Sequence, residues 1–143
     1  MHKGDELPYH MFRLVEGVRR RLVRELQARL EPPYPRGSHM RLLGMIPVDG
    51  MRITDLAALS AMTKQSLGEL VTAMEAHGLV ESRRLDTDRR VRLVVPTKAG
   101  LATAATMAGH LAAIEDQWRN EVGARRYDSM KAVLDELGRD EFG

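Results

Sequence analysis

Apolar residues at Met11, Val15, Val18, Leu22, Leu26 and Leu30 recur at helical steps and predict a first helix over about residues 9–30. The proline-rich stretch from Glu31 to Gly37 stops it. A short helix follows over about 39–46, ending before Pro47 and the Asp49-Gly50 turn. Met51-Arg52-Ile53 suits a short strand, and Thr54 is placed to cap a helix over 55–60. Thr63 is placed to cap another over 64–77, in which Leu67, Leu70, Val71 and Met74 form one buried stripe. His77-Gly78 ends that helix, because glycine takes the left-handed conformation freely. The period then changes. Leu79–Arg84 and Val91–Val95 are β-prone and flank a polar tip, Leu85–Arg90, which predicts a hairpin. Thr97 opens a long helix to about 120, with Leu101, Ala105, Ala108, Leu111, Ile114 and Trp118 on one face. Gly123 breaks it. A last helix over 124–137 is expected to bury Met130, Val133, Leu134 and Leu137, with Gly138 as its cap. The order is α-α-β-α-α-β-β-α-α: a mainly α chain whose middle is a winged helix-turn-helix.

Charge sharpens this picture. The net charge is only +2, yet the bases are segregated. Residues 13–29 hold six Arg against two Glu, and residues 81–92 hold five Arg against three acids. Beyond residue 101 the balance reverses to five bases against eight acids. Segregation of this kind suits a face that meets a polyanion, and it also suits an ordinary solvated surface. With 143 residues, 43% apolar, the chain can build one real core. Zero cysteines exclude disulfides, thiolate metal sites and cysteine nucleophiles. No apolar run is long enough to span a bilayer, and the N-terminus lacks the apolar core of a signal peptide. A cytoplasmic protein without a membrane partner is expected.

The run from 51 to 100 resembles the multiple-antibiotic-resistance regulator (MarR) family of bacterial transcription factors. The resemblance is carried by Gly78-Leu79-Val80-Glu81, then Asp88-Arg89-Arg90, then Pro96-Thr97-Lys98-Ala99-Gly100. The chain departs from the family pattern at Pro96, where Leu is usual, and at Gly68, where a larger polar residue is frequent. The resemblance implies a homodimer built from the first and last two helices. It partitions the single domain over 1–143 into a DNA-binding lobe at 39–97 and a helical dimerisation region at 1–38 and 98–143. The residues agree independently: the terminal helices carry apolar stripes and small residues (Ala102, Ala104, Ala105, Ala108, Ala112, Ala113) with little of their own to pack against. The same stripes would also serve simply to cover the lobe's core.

The helix after Thr63 would enter a major groove about 12 Å wide. Thr63, Lys64, Gln65, Ser66, Glu69 and Thr72 lie opposite its buried stripe. Gln65 has the chemistry to pair bidentately with adenine, and Lys64 suits guanine or a phosphate. Glu69 suits either cytosine or plain solvent. On the hairpin, Arg89 and Arg90 can reach a narrow minor groove, while Arg83 and Arg84 are better placed for phosphates. Asp88 is unhelpful toward DNA, and the resemblance implies that it aims a tip arginine. Any polar helix stripe or charged hairpin tip also serves solubility alone; their adjacency favours DNA.

Catalysis finds no support: there is no GxGxxG, P-loop or Ser-x-x-Lys spacing. His2, His10, His39, His77 and His110 are scattered without ligand spacing, so neither metal nor cofactor is assigned. The resemblance implies a small-molecule effector, whose binding residues stay unknown. Tyr9, Tyr34, His39, Met45 and Trp118 are candidates for such a crevice and equally good core or loop residues. The expected function is a homodimeric, sequence-specific regulator on a pseudo-palindromic double-stranded operator, a repressor released by a ligand. The alternative is a non-enzymatic winged-helix protein for protein contacts or DNA architecture, without operator specificity.

Overall fold

The computed structural model describes residues 8–30 and 37–142. The chain divides into two compact units, Met1–Tyr34 and Pro35–Gly143. The first holds α1 (Met11–Arg29), whose N-cap is His10, with Nδ1 accepting from Arg13 N at 3.3 Å. Along α1, Glu16 pairs with Arg19 at 2.8 Å and Arg20 at 2.9 Å, and Arg21 pairs with Glu25 at 2.7 Å. Two guanidinium groups on one carboxylate, Arg19 first, hold Glu16 down at a pKa of about 2. Of the expected stripe, Leu26 is buried, while Met11, Val15 and Val18 are more than half exposed. Of the predicted stop at 31–37, residues 31–36, Tyr34 among them, fall outside the described residues, and Gly37 already begins the next helix.

The second unit runs α2 (Gly37–Leu43), β1 (Met51–Arg52), α3 (Ile53–Ser60), α4 (Lys64–Ala76), β2 (Val80–Arg84), β3 (Arg92–Pro96), α5 (Lys98–Val122) and α6 (Ala124–Gly138), then a 3-10 turn. The sheet order is β1-β3-β2, antiparallel throughout, with Arg52 opposite Leu93 and Ser82 opposite Val94. Leu42, Leu56, Leu67, Val71, Met74 and Val94 are its most deeply buried apolar side chains near the sheet, and Ile114 is the deepest of α5. The stripe on α4 is as expected, with Leu67, Val71 and Met74 fully buried and Leu70 half-buried.

Three element ends differ from expectation. The short second helix stops at Leu43 rather than 46, because Met45 N and Ile46 N bond three residues back, to Leu42 O and Leu43 O, and wind the chain out. The third helix begins at Ile53, so Thr54 is inside it and caps nothing; Arg52 is the N-cap, with no side-chain cap bond. Its pairing opposite Leu93 keeps Arg52 extended up to the first helical residue. Gly138 is helical rather than a left-handed cap, and Arg139 is the C-cap. The apolar face of α6 differs too. Met130, Val133, Leu134 and Leu137 are 40–73% exposed in this single chain, and only Tyr127 of that helix is buried.

The end of α4 and the start of α5 are knotted together. Gly78, at φ +71°, reverses the chain: Gly78 N donates to Glu75 O at 2.9 Å and Leu79 N to Met74 O at 3.0 Å, a Schellman closure. Thr97 then ties α5 to it. Its hydroxyl donates to Gly78 O at 2.5 Å and accepts from Gly100 N at 3.0 Å, while Thr97 N donates to Leu79 O at 3.0 Å. Gly100 sits so close that an added Cβ would lie 2.0 Å from Leu79 O. At the other end, Gly123 (φ +96°) separates α5 from α6. Arg119 grips Asp128 through two bonds of 2.9 Å, and Glu115 accepts from Tyr127 at 2.7 Å and Lys131 at 2.6 Å.

Candidate nucleic-acid interface

The α3–α4 turn carries Ala61 in the left-handed region (φ 57°), after which Thr63 caps α4 by accepting from Ser66 N at 3.1 Å. That cap fixes where the helix begins and which side chains follow the first turn. Thr63, Lys64, Gln65, Ser66, Glu69 and Thr72 are all exposed. Gln65, Glu69 and Thr72 sit at i, i+4 and i+7 and share one line, with Lys64 and Ser66 on its flanks. Thr72 is less available than its neighbours, since its hydroxyl donates back to Gly68 O at 2.9 Å.

The hairpin rises from a buried base into solvent. Val80, Val94, Val95 and Pro96 are buried, whereas every residue of β2 beyond Val80 is exposed. At the tip, Asp88 Oδ1 accepts from Arg90 N and Nε, each at 3.1 Å, and Asp88 Oδ2 from Arg90 Nη2 at 3.3 Å. The Arg90 guanidinium first, then its backbone N–H and the charge of Arg52, hold the Asp88 carboxyl below the usual carboxylate range. Asp88 is therefore ionised at neutral pH and fixed on Arg90. Arg83 is drawn to Glu81 at 2.6 Å. Among the described residues Arg84 and Arg89 carry no ion pair, and both are exposed.

The residues expected on α4 thus share one exposed face, and those expected on the hairpin gather near its tip. The sequence reading passed over four residues. Arg52 reaches the wing electrostatically from β1, and Glu75, Ser82 and Arg92 bond to one another between α4 and the hairpin. Glu75 and Arg92 lie 17 positions apart, a separation with no local pattern. Of the crevice candidates, Tyr9 is exposed with the Arg13 guanidinium 5.7 Å above its ring, and Met45 and Trp118 are half-buried. His39 is buried, its ring 5.9 Å from that of His77. Among the described residues no group of three or more His, Cys, Asp or Glu could hold a metal ion. No described helix is long and apolar enough to cross a membrane.

A sequence model described as the MarR family matches residues 35–91. The lobe over these residues belongs to the MarR family. No curated protein matches the chain in sequence. Among solved structures, AbsC, a MarR family transcriptional regulator from Streptomyces coelicolor, is 25% identical, with a TM-score of 0.70 over 90% of each chain. The transcriptional repressor CouR on a 23-mer DNA duplex is 20% identical, with a TM-score of 0.78 over 96% of this chain and 99% of that one. CouR from Rhodococcus jostii RHA1 bound to p-coumaroyl-CoA is 19% identical, with a TM-score of 0.71 over 88% and 90%. These likenesses extend the MarR fold beyond the lobe, to most of the chain.

Proposed function

We propose that the protein is a homodimeric, sequence-specific regulator of double-stranded DNA, a repressor released from a pseudo-palindromic operator by a small ligand. The observation that carries this reading is the pairing of two exposed elements on one packed lobe: the polar face of α4 and the arginine-bearing hairpin directly after it. α4 is the recognition helix. Gln65 reads adenine, Lys64 meets guanine or phosphate, and Thr63, Ser66, Glu69 and Thr72 complete the contact face. Arg89 and Arg90 enter the minor groove at the flank, with Asp88 aiming Arg90, and Arg83 and Arg84 meet phosphates.

The lobe over 39–97 binds DNA, and 1–38 with 98–143 forms the dimerisation region. The exposed stripes on α1 and on α6 support this, since each is a contiguous apolar face that a second copy would cover. CouR held on DNA and CouR bound to an acyl-CoA thioester support operator binding and release by a small amphipathic molecule. The chemistry is binding, with no catalytic step.

The test is a titration of the chain against a duplex selected from a randomised library and against its scrambled counterpart, at several salt concentrations. A selected site with half-sites roughly 34–36 Å apart, bound about 10³-fold or more tighter than scrambled duplex, is expected. Equal affinity for both duplexes favours the architectural reading. No binding to either removes DNA from the function.

A further inference from the structure

We infer that Glu75, Ser82 and Arg92 form a polar tie that sets the angle between the wing and the recognition helix, making them positioning residues for the flanking bases of a half-site. The inference deepens the DNA-binding reading and rests on it. The three residues come from three elements: Glu75 from the last turn of α4, Ser82 from β2 and Arg92 from β3. Ser82 Oγ donates to Glu75 Oε1 and accepts from Arg92 Nε at 3.1 Å and Nη2 at 2.9 Å. Arg92 Nη2 also donates to Glu75 Oε1 at 3.3 Å. A hydroxyl has one proton and two lone pairs, and here all three are used. The Glu75 and Arg92 side chains are 35% and 29% exposed, so the ion pair is partly sheltered from the solvent that weakens surface pairs.

The position of the tie gives it leverage. It lies just beyond Val80, the last buried residue of β2, where apolar packing stops and the hairpin enters solvent. From Ser82 to Leu85 the strand rises roughly 10 Å, so a tilt of about 15° at Ser82 would carry the tip roughly 3 Å sideways. A minor groove is only about 6 Å wide, so such a swing would take the tip arginines out of register with it. The tie also turns Arg92 away from Arg84, which stands directly opposite it across the strands and would otherwise repel it. Arg84 is left to a phosphate.

The test uses the full chain and two duplexes: a site selected by the unmodified protein from a randomised library, and the same site with its flanking A·T pairs changed to G·C. The unmodified protein should prefer the first about fivefold. Glu75→Ala and Ser82→Ala should each bring that ratio near one, while preference at the core bases and the thermal midpoint stay close to those of the unmodified chain. E75R and R92E should each lose the flank preference, and E75R/R92E together should regain it. A tie with a merely structural role would move the midpoint and leave the flank-to-core ratio alone, and that outcome overturns the inference. So does an unmodified ratio near one, or a charge swap that fails to restore what both single changes removed. A library from which no site is selected overturns the sequence-specific operator reading and the tie's role with it; a selected core with a flank preference indifferent to Glu75→Ala overturns the tie alone.

Discussion

Replacing Gly100 with alanine puts one methyl group where α5 rests on the end of α4. The new Cβ would stand 2.0 Å from Leu79 O, 3.0 Å from Leu79 C and 3.4 Å from Leu79 Cα. These are backbone atoms, so no side chain can turn aside; α5 must lift off by more than an ångström. Lifting stretches two bonds of the knot, Thr97 N to Leu79 O and Thr97 Oγ1 to Gly78 O. Overpacking costs about 1–3 kcal/mol, and each hydrogen bond about 1 kcal/mol. Alanine returns about 1 kcal/mol of helix propensity. The net expectation is a loss of about 3 kcal/mol. With a urea dependence of about 2 kcal/mol per molar, the midpoint should fall by about 1.5 M, followed by circular dichroism at fixed protein concentration. Gly68→Ala is the control, since nothing lies within 4 Å of its Cβ position in the helix interior; it should stabilise by about 1 kcal/mol. A Gly100→Ala midpoint equal to or above that of the unmodified chain would refute the close approach and the knot built on it.

Four further outcomes are expected. Gln65→Ala should cost about 1–3 kcal/mol on the selected operator and relax one base position per half-site, read by competition binding against base-substituted duplexes. Arg90→Ala should weaken binding to most sequences and lower the salt slope by about one per subunit, and Asp88→Ala should do the same more mildly; tighter binding by the Asp88 variant would mean that it only repels DNA. Leu137→Glu, at an exposed position of α6, should convert the proposed dimer to monomer by light scattering, because each leucine buried between copies would contribute about 1.5–3 kcal/mol; an unchanged mass removes α6 from the proposed dimer contact. Burial first, then Glu115, pushes the Tyr127 hydroxyl up to about 12 from an ordinary value of 10.0. The folded state therefore favours the protonated phenol, and its stabilisation is complete below pH 10 and lost between about 10 and 12. Ultraviolet titration should show one late-ionising tyrosine that Tyr127→Phe abolishes.

Local signals read well from the chain, because cause and effect lie within four residues. Thr63 and Thr97 cap the helices they precede, and Gly78 turns left-handed where the apolar period ends. The polar face of α4 was legible as the complement of its buried stripe. What the sequence hid was set at a distance. Arg52, rather than Thr54, precedes α3 because a strand some forty residues later holds it extended. The stripe on α6 announced an apolar face but not what covers it, and within one chain nothing buries it. The hydrogen bond that turns Thr72 inward and the ion pair that takes up Arg83 depend on side-chain conformers that composition cannot report. Asp88 and Arg90 stand two residues apart, and their pairing needed only the turn between them.

The knot at Thr97 also bears on how such a wing can diverge. It joins Gly78 and Leu79 to Thr97 and Gly100, so the whole hairpin is a loop closed at its base before either strand leaves the core. Added length at the turn between Leu85 and Val91 changes only the closure entropy of a segment already pinned. Doubling that segment would cost only about 0.6 kcal/mol. A single methyl group at the base costs several times more. Insertions should thus accumulate at the tip and be purged at the knot, so that the reach of the wing drifts among descendants while its root keeps the same few atoms in contact.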